Sequence, residues 1–159
     1  MFYLNKNRPG WNNNANNFQW EGTWKMPEPG LPYAHAFLIA ENKYDLPHNI
    51  LARQAQQESY YNPTVTSPAG AQGIMQIIPK WHPDVDPFDP FDAIDYAGKY
   101  MRENYNRFGS WEKALAAYNW GPTALAKNIN QYGPVWKSHL PAETAKYIRD
   151  IGKDVNLTG

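Results

Sequence analysis

The stretch RQAQQESYYNPTVTSPAGAQGIMQIIP, residues 53–79, reads as the end of a helix that runs into a loop of Asn, Pro, Thr, Ser and Gly before an apolar run resumes. Just upstream and within it, Ile50, Leu51, Gln54, Ala55 and Glu58 recur at helical spacing and fall near one face. The periodicity therefore predicts a helix from Pro47 to about Ser59, capped by Asp45 with Pro47 in its first turn, and a short helix around Ala71 to Ile78 after the loop. That register turns Glu58 inward. From Ser59 to Lys80 there is no Asp or Glu, so a single carboxyl sits beside a polar but nearly uncharged loop that carries Ser67 and Gln76.

Working outward, the pattern stays helical. Ala34, Phe37, Leu38 and Tyr44 support a helix from Tyr33 onward, and Ala93, Ala97, Tyr100, Met101 and Tyr105 support one that stops at Gly109. Ser110 is placed to cap the next, WEKALAAYN, which ends at Gly121-Pro122; two more are expected over Thr123–Asn130 and from Ala142 to about Val155. No run alternates convincingly as a strand, so the expected fold class is all-α or mostly α. Residues 1–30 differ: five asparagines between Asn12 and Asn17 are surrounded by Trp11, Trp20, Trp24, Pro27 and Pro29, which predicts an irregular arm preceding a domain over 31–159. The arm reads first as a segment packed by its tryptophans, and second as a carbohydrate- or partner-contacting extension.

Composition narrows the function. Fifteen basic residues balance 15 acidic ones, so no net field draws the chain to nucleic acid or to an anionic membrane. The absence of cysteine removes disulfide frameworks, thiolate nucleophiles and Cys-based zinc sites. At 159 residues one core of ordinary size is expected, burying roughly two thirds of the unfolded chain's surface. Seven Trp and 11 Tyr are enough to fill a core and also line a groove for flat, amphipathic ligands such as sugars. Asp84–Asp92 superficially suggests a calcium loop, but Pro87 and Pro90 break the pattern, and a helix-capping connection is the better reading. His35, His48, His82 and His139 show no zinc-binding spacing, and no phosphate loop or Gly-x-Ser-x-Gly is present; neither metal nor cofactor is expected.

An inward carboxyl has its neutral form favoured by desolvation, which suits a general acid working near neutral pH. The alternatives at this point are a solvated helix-end glutamate, core tyrosines with satisfied hydroxyls at Tyr118 and Tyr147, capping roles for Gln76 and Asn119, and a plain Ser-Pro turn at Ser67.

Four pieces in order tip the balance: Glu58-Ser59, NPTVTSPAGAQGIMQIIP (62–79), AAYNWGP (116–122) and PAETAKYI (141–148). In sequence and spacing they resemble the successive motifs of the soluble lytic transglycosylase family, which is related to goose-type lysozymes. The resemblance covers roughly residues 33–155. It implies a lysozyme-like α domain with a groove for glycan strands, and cleavage of peptidoglycan between N-acetylmuramic acid and N-acetylglucosamine. Position by position it implies Glu58 as the catalytic acid/base, with Ser59 supporting the helix end. Substrate-binding roles fall to Ser67, Met75, Gln76, Tyr118, Asn119, Glu143 and Tyr147.

The partner so implied is the peptidoglycan strand, and a monomer is expected. The rival outcomes are a goose-type lysozyme that hydrolyses the same bond, and a catalytically silent wall-binding protein. The N-terminus has no basic start followed by an apolar run, and no segment approaches ~18 consecutive apolar residues, so neither an export leader nor membrane insertion is expected. A wall-degrading enzyme without an export signal fits a phage-encoded lysis or virion protein.

Overall fold

The computed structural model describes residues 24–158; most of the expected N-terminal arm, residues 1–23, lies outside the described residues. A 3-10 stretch over Glu28–Tyr33 leads into α1 (Ala34–Lys43) and α2 (Ile50–Ser59). Then come α3 (Pro90–Phe108), α4 (Trp111–Trp120), α5 (Pro122–Tyr132), a 3-10 stretch over Gly133–His139 and α6 (Ala142–Gly152). Among the described residues no strand forms, and β-type pairing is confined to isolated bridges of Gln72 with Thr66 and with Ile77.

The helix ends follow local chemistry. Asp89 accepts from the backbone N–H groups of Phe91 (3.0 Å) and Asp92 (3.1 Å), with Pro90 in the first helical position where its missing N–H is harmless. Ser110 Oγ accepts from Lys113 N at 3.2 Å and opens α4. Gly109, in the left-handed region at φ 84°, ends α3.

α2 is the central element. Ile50 through Ala55 are all buried, because α1, α3 and α6 pack around the helix. Ile50 and Leu51 are fully enclosed, each worth about 1.5–3 kcal/mol relative to exposure. The buried Arg53 is compensated from α6: Nη2 donates to the Asp150 carbonyl at 2.8 Å, and Nε lies 3.0 Å from Asp154 Oδ2 as an ion pair. Trp24 covers the same guanidinium, 5.8 Å from its ring centre, and Met26 is buried, so the described end of the expected arm packs on the core.

Two local expectations are corrected. Asp45 does not cap α2. The helix starts three residues later than Pro47, after Asn49 at φ 70°, and its first N–H groups are met by Glu41 reaching across from α1: Oε1 accepts from Asn49 N at 3.1 Å and Oε2 from Leu51 N at 2.9 Å. A buried carboxyl at the N-terminus of a helix satisfies donors that have no partner within the helix. The expected helix at Ala71–Ile78 is also absent. Gln72 and Ile77 exchange both backbone hydrogen bonds (2.9 and 3.0 Å), with Gly73 at φ 74° and Gln76 at φ 50°, so the segment closes as a tight turn. Bounded by those two left-handed residues and Pro79, it is too short to repay helix nucleation.

Gly73 pins this turn: its N–H donates to Val65 O at 2.8 Å, and a Cβ there would lie 1.8 Å from the Pro87 carbonyl oxygen. Since the obstacle is backbone, no side-chain rotation relieves it. Gly73→Ala is expected to lower stability by at least about 3 kcal/mol, read as the shift in urea midpoint, through combined steric conflict and left-handed strain.

Candidate active site

Glu58 occupies the last turn of α2, and the chain then reverses sharply. Tyr60 and Tyr61 follow at φ 50° and 63°, two consecutive non-glycine residues in the left-handed region. The Tyr61 ring is buried, edge-on to Phe37 at 6.1 Å, so packing in the core holds the reversal. Ser59 ties the helix end to the next loop: its hydroxyl donates to the Ile74 carbonyl at 2.8 Å while accepting from Asn62 N at 3.1 Å. Together these contacts set the Asn62–Pro79 loop beside the Glu58 carboxyl.

Glu58 keeps partial exposure as a residue, yet its carboxyl is pushed from 4.5 up to about 7. Burial is the largest cause; the hydrogen bond with the Tyr147 hydroxyl opposes it, and the charge of Glu143 adds to it. A carboxyl facing inward on a residue that still touches solvent satisfies both observations. Tyr118 is half-buried, with its hydroxyl turned inward: desolvation first, then the Glu58 charge, drives that hydroxyl well above the ordinary tyrosine value, and the buried Tyr147 responds in the same way.

The sequence-predicted residues divide into two sets. Glu58, Tyr118, Glu143 and Tyr147 come together around one carboxyl, from α2, α4 and α6. Tyr118 donates its hydroxyl to the Met75 carbonyl at 2.7 Å, so Met75 meets the site through its backbone while its side chain is fully buried in the core. Ser67 and Gln76 chiefly shape the loop: Ser67 Oγ accepts from Ala71 N at 3.1 Å, and Gln76 Nε2 donates to the carbonyls of Gly73 (2.9 Å) and Val65 (3.3 Å). Those bonds leave the serine's own proton and the glutamine's carbonyl unused. Asn119 accepts from Thr144 Oγ1 at 2.8 Å, which joins α4 to α6 and does not engage its amide N–H groups. Glu143 is exposed at the first turn of α6.

Sequence reasoning assigned no role to two contributors. Gln54, one turn before Glu58, donates to the Tyr147 hydroxyl at 3.2 Å. Tyr100 packs 5.8 Å from Tyr118 and continues to Tyr96 and His82, whose Nδ1 lies 2.7 Å from the Tyr96 hydroxyl. Gln54 was legible as a polar residue on an apolar stripe; the Tyr100 cluster depends on α3 meeting α4 and had no local signal. Among the described residues no cluster of three or more His, Asp or Glu forms a metal cage.

A helical domain without strands among the described residues, built around an enclosed central helix that carries one desolvated carboxyl at its end, has the lysozyme-like fold expected from the motifs. The chain belongs to the family described as the transglycosylase SLT domain, whose model matches residues 35–140. It is similar to the transglycosylase of Enterobacteria phage PRD1, at 35% identity over 57% of this chain and 40% of that protein. It is also similar to the soluble lytic murein transglycosylase of Escherichia coli K12, at 31% identity over 80% of this chain and 23% of that protein. Among solved structures it matches the 70 kDa soluble lytic transglycosylase of Escherichia coli with a TM-score of 0.66 and 27% identity, covering 79% of this chain and 23% of that one. The chain thus spans less than half the length of these relatives.

Because Glu58 titrates higher in the folded than in the unfolded chain, its contribution to stability is fully present below pH 4.5 and is lost as pH rises through about 7. Glu58→Gln removes that dependence. Thermal melts should show the variant gaining on the parent by roughly 5 °C between pH 4.5 and 8.

Proposed function

We propose that the chain is a peptidoglycan lytic transglycosylase in which Glu58 is the sole catalytic acid and base. The observation that carries this reading is the carboxyl at about 7, neutral often enough to donate and weak enough to take the proton back, in a site whose other close groups are hydroxyls, amides and the exposed Glu143. Membership of the family and the names of its relatives support the same substrate class.

In the first step the Glu58 proton passes to the oxygen linking N-acetylmuramic acid to N-acetylglucosamine, the C1–O bond breaks, and the substrate's own N-acetyl oxygen stabilises the cationic C1. In the second, Glu58 as carboxylate removes the proton of the muramic 6-hydroxyl while that oxygen bonds to C1, leaving a 1,6-anhydro end and a protonated Glu58. No water is consumed. A tethered nucleophile has the entropic advantage of an intramolecular reaction. Ordinary retaining or inverting hydrolysis requires a second carboxylate at a defined separation. Glu143 is the one other carboxylate whose charge bears on Glu58, as the smallest of the causes of its shift, and it is exposed at a helix end. In this reading Glu143, Ser67, Gln76 and Asn119 bind substrate, Tyr147 holds the carboxyl, and Tyr118 fixes the turn at Met75 beside it.

The similarity to a phage protein supports a phage-encoded enzyme acting on the host wall, and a monomer suits the reading. No described helix is long and apolar enough to cross a membrane.

Glu58→Gln should fold and lose roughly 10² to 10⁴ in rate on purified peptidoglycan. In the parent, the rate should decline as pH rises through about 7. Digestion in ¹⁸O water followed by mass analysis should give anhydro ends, one water lighter than hydrolytic ends, with no label. Labelled reducing ends as the main product would make the enzyme a hydrolase and direct attention to Glu143 as the group that activates water.

Tyr118→Phe removes the bond to the Met75 carbonyl. The expected outcome is a loss of activity several-fold greater than the fraction unfolded, since the displaced turn bears on the site; equal losses of rate and of folded protein would reduce Tyr118 to a packing role.

A further inference from the structure

Gln54 and Glu58 stand four residues apart on α2, so their side chains share one face a turn apart. Gln54 is fully buried. A buried amide in an apolar helix stripe incurs a desolvation cost and is retained where its hydrogen bonds matter. Its Nε2 has two neighbours, the Tyr147 hydroxyl at 3.2 Å and the Met101 sulfur at 3.5 Å, while its carbonyl oxygen, equally buried, has no hydrogen-bond partner.

The sulfur fixes which way the amide points. A thioether has lone pairs and no proton, so it can receive an N–H and would only repel a carbonyl oxygen. With the NH₂ group on the Met101 side, the same group reaches Tyr147 and donates to its oxygen. A phenol has one proton to give. Once its oxygen receives the Gln54 N–H, the Tyr147 proton is left to turn toward the Glu58 carboxyl, one turn further along the same face of α2. A donor chain from Gln54 through Tyr147 to Glu58 has only this one direction open to it, and each bond in such a chain strengthens the next.

We infer that Gln54 is a positioning residue that orients the Tyr147 hydroxyl as a permanent donor to Glu58. The inference rests on the proposed role of Glu58 for its consequence in catalysis. Its effect is directional. A donor held on the carboxyl stabilises the anion, so Gln54 moderates the rise that burial imposes and keeps Glu58 able to give up its proton. The titratable groups facing Glu58 are Tyr118 from α4 and Glu143 and Tyr147 from α6, and the Asn62–Pro79 loop brings none. None of them replaces a donor on the Tyr147 oxygen, since Tyr118 gives its proton to the Met75 carbonyl.

The test is carbon-detected NMR titration of the Glu58 carboxyl in the parent, Gln54→Met, Tyr147→Phe and the double variant. Methionine keeps the length and volume of glutamine and has no N–H, and Gln54→Leu serves as an independent replacement should the first fold poorly. Gln54→Met is expected to raise the Glu58 pKa by roughly 0.5 to 1 unit, and Tyr147→Phe to raise it at least as much. In the double variant the Gln54 substitution should add nothing, because Gln54 acts through the hydroxyl that is already gone. An unchanged Glu58 pKa in folded Gln54→Met or Gln54→Leu overturns the inference, as does a shift that persists in the Tyr147→Phe background. This readout does not depend on activity. If the Gln54 variants raise the pKa and the alkaline limb of the rate profile moves with it, positioning and catalysis are both supported. If the pKa moves and the rate profile does not, the donor chain stands and the catalytic role of Glu58 falls.

Discussion

Burying the first six residues of α2, 50–55, is the constraint on which the rest of the structure depends. Enclosed by α1, α3 and α6, these residues are cut off from water, so each polar group among them is costly unless a partner meets it. Glu41 answers the helix N-terminus, and the end of α6 answers Arg53. The last turn is the exception. Burial lifts the Glu58 carboxyl toward neutrality with no cation to oppose it, while Arg53, five residues earlier, is compensated from α6.

The same economy explains why the surrounding loop is polar yet uncharged. A lysine near Glu58 would restore the ordinary carboxylate, and a further acid would raise it more than Glu143 already does. Amides and hydroxyls can bind a neutral sugar without disturbing that balance, and several of them here also do structural work. Ser67 and Gln76 close the loop, and Asn119 with Thr144 sets α4 against α6. Binding groups already fixed by internal hydrogen bonds lose less freedom when a ligand arrives.

Much of this was legible in the chain itself, where the signal was local. Ser110 before an apolar run and Gly109 after one mark helix ends by the chemistry of a few adjacent residues, and those ends were read correctly; the segment 84–92 was read as helix-capping without its cap, Asp89, being singled out. The inward register of Glu58 followed from the spacing of Ile50, Leu51, Gln54 and Ala55. The failures share one cause. Glu41 capping α2 from another helix, and the turn at Gly73 held against Pro87, depend on contacts between segments that sequence periodicity does not report. For the site, the motifs named Tyr118 and Tyr147 but not what each bonds. That Tyr118 spends its proton on a backbone carbonyl, and that Gln54 stands behind Tyr147, are consequences of three helices meeting.

The clamp on Arg53 also bears on how the chain is made. Its partners, Asp150 and Asp154, lie about a hundred residues downstream, so during synthesis α2 emerges from the ribosome long before anything can neutralise its guanidinium. Tyr147, on the same helix as Asp150, arrives equally late. The central helix is thus translated early and completed last. Until α6 has docked, the nascent chain holds its site elements apart, and Glu58 stays a solvated carboxylate of ordinary acidity.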